Sequence, residues 1–226
     1  MPAAESARHL IGIDLDGTIE DSRNDMVAAA ARVRRELGLS ARAHELLRPH
    51  VNGGMEQLYR ACFDDYLSPG DDGRLQTVRN AYEADYLAHV AVDTRLYAGV
   101  ADALNELADL GALVCVTNKP EAISRALLKA LGVLELFSSV VGGDSCEQCK
   151  PHPIMLETAA ERCGFERTRG GRAFMIGDTN ADIQLARAYG AVAIWCAWGY
   201  VSAPSDAPDA QARHPSELVA LVRARS

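Results

Sequence analysis

The sequence predicts an α/β protein: a doubly wound parallel (Rossmann-like) sheet with an all-helical segment inserted after its first strand. The first observation is a set of near-continuous apolar runs, LIGID (10–14), LVCVT (113–117), VVGGD (140–144), AFMIGD (173–178) and AVAIW (191–195). Such runs are typical of parallel strands that helices cover on both faces. The second observation is that amphipathic stretches separate these runs, and alternating strand and helix patterns are typical of α/β folds.

A glycine closes each of four amphipathic stretches that follow residue 95. These glycines are Gly111, Gly132, Gly164 and Gly190. Glycine adopts the left-handed conformation without strain and commonly ends helices. We therefore expect all four to be left-handed C-caps.

Residues 20–95 contain helical patterns without strand patterns. Apolar residues recur at the spacing of one helix face in three series, which begin at Met26, Met55 and Leu75. The sequence thus predicts an α/β core of residues 1–19 and 96–226 and a helical domain of residues 20–95. Towards the end of the chain, 202–215 is predicted to be a Pro/Ala/Asp-rich loop and 216–224 a closing surface helix.

Composition limits the class of partner. The chain has 226 residues, 48% of them apolar, and a net charge of −8 with Lys and Arg scattered along it. Scattered basic residues argue against a nucleic-acid or anionic-membrane partner. No apolar run approaches the roughly 18 residues that span a bilayer, and MPAAESARHL lacks the features of a signal peptide. We therefore expect a cytoplasmic protein, and we leave its oligomeric state open between a monomer and a homodimer.

Two carboxylates follow the first predicted strand. Asp14 stands at its carboxyl end, Asp16 is two residues further on, and Gly17 allows a sharp turn. Ligands of open α/β sheets bind at the carboxyl ends of the strands. Two carboxylates there attract a cation or divide acid–base work, although a polar strand end with a turn would give the same short pattern.

Other strand ends carry further polar groups. Thr117, Asn118 and Lys119 close the second core strand with a hydroxyl, an amide and a cation. Lys150 follows the VVGGD run, where a lysine by itself would be an ordinary surface residue. Because the carboxyl ends of parallel strands share one edge of the sheet, these groups are expected to converge with Asp14.

Asp178 ends the AFMIGD run, and Asp182 lies four residues later. A helix that begins near Thr179 would put Asp182 in its first turn, where an acid is also favoured by the helix dipole alone. The converging carboxylates, lysine and hydroxyl suit a phosphoryl group and a hard divalent ion. Oxygen ligands without a His/Cys cluster favour Mg²⁺ over zinc.

Taken together, these motifs resemble those of the haloacid dehalogenase superfamily, in its phosphatase branch. The matching segments, in the family's order, are Asp14-x-Asp16-Gly17-Thr18, Thr117-Asn118, Lys150-Pro151 and Gly177-Asp178-x-x-x-Asp182. The helical segment resembles the cap domain of that family. TNKP (117–120), GGD (142–144) and KPHP (150–153) are further similar to phosphoglycolate phosphatases.

The resemblance implies a role for each acidic residue. Asp14 attacks phosphorus and forms an aspartyl-phosphate, while Asp16 protonates the leaving oxygen and later takes a proton from water. Mg²⁺ is held by Asp14, the Asp16 main-chain carbonyl and Asp178. Asp182 supports these ligands.

The resemblance also assigns the remaining motif residues. Lys150 adds positive charge at the reacting phosphate, and Thr117 and Asn118 bind the phosphoryl oxygens. Thr18 fixes the turn after the first motif. The cap closes over the site and selects the leaving group. At the predicted start of a cap helix, Asn52, Gly53 and Gly54 are either binding groups for a substrate carboxylate or ordinary loop residues.

The resemblance implies a phosphatase for 2-phosphoglycolate, with other substrates left open. A nucleotide phosphatase or a pyrophosphatase shares parts of the pattern, and a non-catalytic α/β binding protein is the alternative from another class. Phosphonatases use a lysine of the cap, and residues 20–95 contain no lysine. Cys146 and Cys149 have no second pair to complete a zinc site, so Lys150 is expected to carry the function of their segment.

Overall fold

A six-stranded parallel sheet forms the centre of the α/β unit. The computed structural model describes residues 9–167 and 170–226, apart from the side chains of residues 52 and 53. The strands are β1 (Leu10–Ile13), β4 (Ala112–Val116), β5 (Ser139–Val141), β6 (Ala173–Gly177), β7 (Val192–Cys196) and β8 (Ala210–Ala212). Their order is β5-β4-β1-β6-β7-β8, and every neighbouring pair is parallel. The predicted fold class is confirmed.

Helices follow the strands in the alternation that the sequence predicts. They are α5 (Val100–Ala108), α6 (Glu121–Ala130), α7 (Ile154–Cys163), α8 (Asn180–Tyr189) and α9 (Leu218–Arg223), with 3₁₀ turns at Leu134–Leu136 and Pro215–Glu217. All residues of β1, β4 and β6 are buried, which explains their continuous apolar sequences. The chain leaves β1 to one side through β4 and β5 and then continues on the other side with β6. The carboxyl end of β1 therefore lies at the point where the strand order reverses, which is the usual ligand site of such sheets.

Residues 21–95 form a second compact unit, which is helical. It contains α1 (Arg23–Glu36), α2 (His44–Leu47), a 3₁₀ helix (Arg48–Gly53), α3 (Met55–Cys62) and α4 (Asp72–Ala88). The two-residue strands β2 (Glu20–Asp21) and β3 (Arg95–Leu96) pair with each other where the chain passes between the units. Inside the helical unit, Tyr59 and Tyr82 pack edge to face at 5.2 Å. Arg34 is buried and pairs with Asp65 at 2.6 Å, so its charge is compensated.

Two local predictions are wrong. Gly111 is not left-handed, unlike Gly132, Gly164 and Gly190. Helix α5 already ends at Ala108, and a Cβ at position 111 would lie 2.3 Å from the carbonyl oxygen of His9. Gly111 is therefore required by close packing of two backbones.

The predicted loop 202–215 contains a strand. Residues Ala210–Ala212 form β8 and pair in parallel with β7, with Ala212 opposite Cys196. Alanine is a weak strand former, so this strand depends on tertiary pairing at the sheet edge. The closing helix is present as α9. No helix in the described ranges has the length and apolar character needed to cross a membrane.

Asp25 joins the first turn of α1 to the end of the helical unit. Its buried carboxylate accepts hydrogen bonds from the main-chain N–H groups of Asp93 and Thr94, at 2.9 Å each, and from the Thr94 hydroxyl at 2.6 Å. Removing this acceptor would leave partly buried donors unpaired, which costs about 1–3 kcal/mol per group.

Asp25→Ala is therefore expected to lower the free energy of unfolding by about 3 kcal/mol. Urea denaturation followed by far-UV circular dichroism measures this loss. Asp102→Ala is the matched control, because Asp102 is an exposed acid in the first turn of α5. We expect the control to lose less than about 1 kcal/mol. Equal losses in the two variants would show that the Asp25 hydrogen bonds contribute nothing beyond helix-dipole stabilisation.

Candidate active site

Three buried carboxylates meet at the carboxyl end of the sheet. Asp14 directly follows β1, Asp178 directly follows the neighbouring strand β6, and Asp182 lies in the first turn of α8. One oxygen of each lies within 4.8 Å of the others. In the register of β1 and β6, Ile13 lies opposite Ile176, so both aspartates follow the paired ends of adjacent strands.

Lys150 connects two of these carboxylates. Its Nζ lies 2.7 Å from Asp14 Oδ1 and 2.8 Å from Asp182 Oδ1, and its side chain is almost completely buried. Burial by itself lowers the pKa of Lys150, but the charges of Asp14 and Asp182 outweigh it and raise the pKa above its usual value. Lys150 is thus a permanently charged ammonium at neutral pH and not the surface lysine that its sequence alone would allow.

Burial raises the pKa of Asp14 well above its usual value, and the negative charges of Asp182 and Asp178 act in the same direction. Lys150 opposes this shift by its charge and its hydrogen bond. The Leu15 N–H also donates to Asp14 Oδ1 at 2.7 Å. An added cation beside Asp14 would favour its ionised form, which is the form that can act as a nucleophile.

Asp178 is held by residues from three parts of the core. The Thr18 hydroxyl donates to Oδ1 at 3.3 Å, the Tyr200 N–H donates to Oδ2 at 2.6 Å, and Trp195 Nε1 donates to the main-chain carbonyl at 3.1 Å. Burial, and next the charge of Asp182, raise the pKa of Asp178 to about 7. Gly17 lies against this carboxylate with φ of +81°, and a Cβ there would be 2.4 Å from Oδ2. Position 17 must therefore be glycine.

Asp182 is the helix N-terminal acid that its sequence position allowed, and it also contacts Lys150. Its Oδ2 accepts from the N–H of Thr179 at 3.0 Å and from the Thr179 hydroxyl at 2.6 Å, and the Thr179 side chain accepts from the Asp182 N–H, which completes the capping box of α8. Its Oδ1 accepts from Lys150. The same side chain therefore begins the helix and positions the lysine.

Of the predicted phosphate-binding residues, Asn118 contacts Lys150 and Thr117 contacts Lys119. Asn118 Oδ1 accepts from the Lys150 N–H at 2.9 Å, and Asn118 Nδ2 donates to the Lys150 carbonyl at 3.4 Å. Thr117 is buried, and its hydroxyl accepts from the Lys119 N–H at 3.2 Å. In this structure the amide of Asn118 thus fixes the backbone of the Lys150 segment.

Asp16 lies apart from the three clustered carboxylates and pairs with a second lysine. Lys119 Nζ is 2.5 Å from Asp16 Oδ1, and only 2% of the Lys119 side chain is exposed. The sequence placed Lys119 at the same rim but gave it no role. The available signal was its position directly after Thr117-Asn118 at a strand end. The contacts of Trp195 and Tyr200 with Asp178 had no sequence signal. Trp195 uses an indole inside a strand and Tyr200 a main-chain N–H, and neither belongs to a motif.

The donor set fits a hard divalent cation. The clustered groups are carboxylates, and no cysteine or histidine of the described residues belongs to the cluster. Four carboxylates and two lysines lie at this edge of the sheet, and in their ionised forms the carboxylates outnumber the lysines by two. A divalent ion would neutralise this excess negative charge. The residues are Asp14, Asp16, Asp178, Asp182, Lys119 and Lys150. Oxygen-only ligands of this kind suit Mg²⁺.

Cys146 and Cys149 point to separate partners. The Cys146 thiol is half-buried and lies 3.2 Å from the Thr158 hydroxyl, whereas the Cys149 thiol is exposed and lies 3.2 Å from the Gly143 carbonyl.

In the helical unit, Gly54 directly precedes α3 with φ of +85°. The side chain of Asn52 falls outside the part of the chain that the structure describes.

Comparison with known proteins agrees with this geometry. The family model for haloacid dehalogenase-like hydrolases matches residues 11–196. A phosphoglycolate phosphatase of Nitrosospira multiformis is 38% identical over 190 residues, which cover 83% of this chain and 82% of that protein. A phosphoglycolate phosphatase of Chromobacterium violaceum is 33% identical and covers 94% of this chain and 96% of its own length.

Solved structures share the fold. A haloacid dehalogenase-like family hydrolase of Streptococcus pneumoniae superposes with a TM-score of 0.75 at 24% identity, and the match covers 95% of this chain and 98% of that chain. The matched residues 11–196 include Asp14, Lys150 and Asp178, the residues that meet at the sheet edge. The chain therefore belongs to the haloacid dehalogenase-like hydrolase family, and it is a phosphatase of that family.

Proposed function

We propose that this phosphatase hydrolyses 2-phosphoglycolate with the help of Mg²⁺, through an aspartyl-phosphate formed on Asp14. The observation that carries the proposal is the buried arrangement of Lys150 between Asp14 and Asp182, with Asp178 completing the carboxylate cluster. A nucleophilic carboxylate beside a fixed positive charge and a cation site is what phosphoryl transfer to a side chain needs.

In the first step an Asp14 oxygen attacks phosphorus, and the bond between phosphorus and the ester oxygen breaks. Lys150, which lies 2.7 Å from Asp14, offsets the repulsion between this carboxylate and the anionic phosphate. Two unit charges about 4 Å apart repel by roughly 4 kcal/mol at an effective dielectric of 20. Asp16 gives its proton to the departing oxygen, so glycolate leaves as an alcohol.

In the second step a water oxygen attacks the phosphorus of the aspartyl-phosphate. Asp16 takes the proton from this water, the bond between Asp14 and phosphorus breaks, and inorganic phosphate is released. Both groups thereby return to their starting states. Thr117 and nearby main-chain N–H groups are proposed to hold the phosphoryl oxygens during both steps.

The proposed ligands of Mg²⁺ are Asp14, Asp178 and the main-chain carbonyl of Asp16, with Asp182 and Thr18 supporting them. Bound there, the ion supplies charge neutralisation for the nucleophile and the phosphate. The raised pKa values of Asp14 and Asp178 support this assignment, because a cation in the cluster would stabilise their ionised forms.

A substrate panel tests the proposal. We expect kcat/KM for 2-phosphoglycolate to exceed that for simple sugar phosphates, nucleoside monophosphates and pyrophosphate by about 100-fold or more, since a site that pairs with the substrate carboxylate rejects esters that lack it. Chelation of Mg²⁺ is expected to remove the activity, and its return to restore it. A nucleotide or pyrophosphate at the top of the ranking would replace the proposed substrate but keep the chemistry.

Helical residues 20–95 are proposed to be the cap that selects the leaving group, as the resemblance of the motifs implies. The similarity of this chain to two phosphoglycolate phosphatases over more than four-fifths of its length supports both the cap and the substrate. The cytoplasmic location and the monomeric or homodimeric state stay predictions.

A further inference from the structure

Lys119 is a second buried lysine whose partner differs from those of Lys150. It follows β4, its side chain is 2% exposed, and its Nζ pairs with Asp16 at 2.5 Å. Lys150 instead pairs with Asp14 and Asp182. The two ammonium groups thus form these ion pairs with different carboxylates.

The backbone that carries Lys119 is fixed on two sides. Its N–H donates to the Thr117 hydroxyl at 3.2 Å, and its carbonyl accepts from the Gly143 N–H at 2.9 Å. The loops approach so closely that a Cβ at position 143 would lie 2.4 Å from the Asn118 carbonyl oxygen. A buried side chain on a backbone held in this way has little freedom, so the position of Nζ is set before any substrate binds.

Asp16 has no comparable burial. Its side chain is 18% exposed, and it sits in the turn that follows β1, one residue before Gly17. A carboxylate in such a turn samples several rotamers unless a neighbour selects one. The bond from Lys119 supplies this selection whether or not Asp16 carries its proton, because a charged donor holds an acceptor oxygen more strongly and more directionally than a neutral donor does.

We propose that Lys119 is a positioning residue, which holds the Asp16 carboxylate in the orientation from which it exchanges protons with the leaving group and with water. This inference rests on the acid–base role of Asp16 in the proposed function. In the proposed mechanism Lys119 acts through Asp16 and not on the reacting phosphorus. Its loss is therefore expected to impair only the steps that need Asp16.

An aryl phosphate separates those steps. When p-nitrophenyl phosphate transfers its phosphoryl group to Asp14, p-nitrophenolate is stable without a proton, so this step does not depend on Asp16. The following hydrolysis of the aspartyl-phosphate still requires proton removal from water, for which Asp16 must be ionised, either from the start or after it has released its own proton to solvent. A variant that lacks only the positioning of Asp16 should therefore form the intermediate normally and break it down slowly.

Stopped-flow measurement of Lys119→Met with Mg²⁺ and p-nitrophenyl phosphate tests the proposal. We expect a burst of p-nitrophenolate at a rate within about threefold of wild-type phosphoryl transfer. The steady-state turnover that follows should be reduced about 10- to 100-fold, because losing the position of Asp16 removes part of the rate that general acid–base catalysis contributes. Lys119→Arg, which keeps the charge, is expected to recover at least part of this turnover. Lys129→Met is the control, since Lys129 is an exposed lysine in the last turn of α6.

Equal reductions of the burst rate and of turnover in Lys119→Met would overturn the proposal in favour of a merely structural role, as would unchanged turnover. If Lys119→Met fails to fold, Lys119→Gln is measured by the same criteria.

Asp16→Asn should show the same pattern as Lys119→Met, and the double variant should be no slower than Asp16→Asn alone. A multiplicative loss in the double variant would mean that the two residues act independently. Failure of the proposed function has a different signature, since the wild-type enzyme would then form no aspartyl-phosphate and Asp16→Asn would turn over at the wild-type rate.

Discussion

Replacing Asp14 by asparagine is expected to lower phosphate release by about 10⁴-fold or more, because the amide cannot act as the nucleophile. Asparagine has nearly the same size and keeps an oxygen that can accept from Lys150 and from the Leu15 N–H, so the fold should survive. The measurement is kcat for 2-phosphoglycolate in the presence of Mg²⁺, with circular dichroism to verify folding.

Trapping of the phosphoryl-enzyme gives an independent readout for Asp14. Radiolabelled phosphate from the substrate should stay with the acid-quenched wild-type protein and be absent from Asp14→Asn. Asp109→Asn is the matched control, because Asp109 is an exposed aspartate at the C-terminal end of α5, and it should retain full activity. Undiminished phosphate release by Asp14→Asn would exclude an aspartyl-phosphate mechanism at this residue.

Asp178→Asn is expected to remove most activity and yet to stabilise the metal-free protein at alkaline pH. The pKa of Asp178 is raised to about 7 in the folded state, first by burial and then by Asp182, from an unperturbed value near 4. Between these values the folded state binds more protons than the unfolded state. The free energy of unfolding of the wild type therefore falls as pH rises from about 4 to about 7, and the loss is complete above pH 7.

Asparagine cannot ionise, so the free energy of unfolding of the variant does not fall in this way as pH rises. The difference in stability between Asp178→Asn and the wild type should grow by a few kcal/mol between pH 5 and pH 8 in the presence of a chelator. Urea denaturation at the two pH values measures it. Addition of Mg²⁺ at pH 8 should raise the melting temperature of the wild type and leave that of the variant nearly unchanged. A stability difference that is independent of pH would show that Asp178 is ionised at no cost in the folded protein.

The strands and the order of the motifs were predictable because they depend on local patterns. A strand covered on both faces must be apolar throughout, so β1, β4 and β6 are visible as apolar runs whose ends can be located within a residue or two. The polar residues that follow them had to lie at the same edge of a parallel sheet. For this reason Asp14, Asp178 and Lys150 could be brought together before any coordinates were known.

Features that depend on distant partners were not predictable. Strand β8 is an Ala-Gln-Ala segment that becomes a strand only by pairing with β7, and Gly111 is required by the approach of the His9 carbonyl. Neither feature has a local signature, because each depends on contacts with residues remote in sequence.

The sequence by itself determined the class of fold, the family and the polar residues that are proposed to carry the chemistry, since each of these depends on residue type at a strand end. Only the tertiary structure decided how charges are paired there: Lys150 with Asp14 and Asp182, and Lys119 with Asp16. Pairing depends on distances of a few ångströms between side chains separated by 32 to 136 residues. Such distances follow from the packing of loops, such as the contact of Gly143 with the Asn118 segment, and no spacing along the chain encodes them.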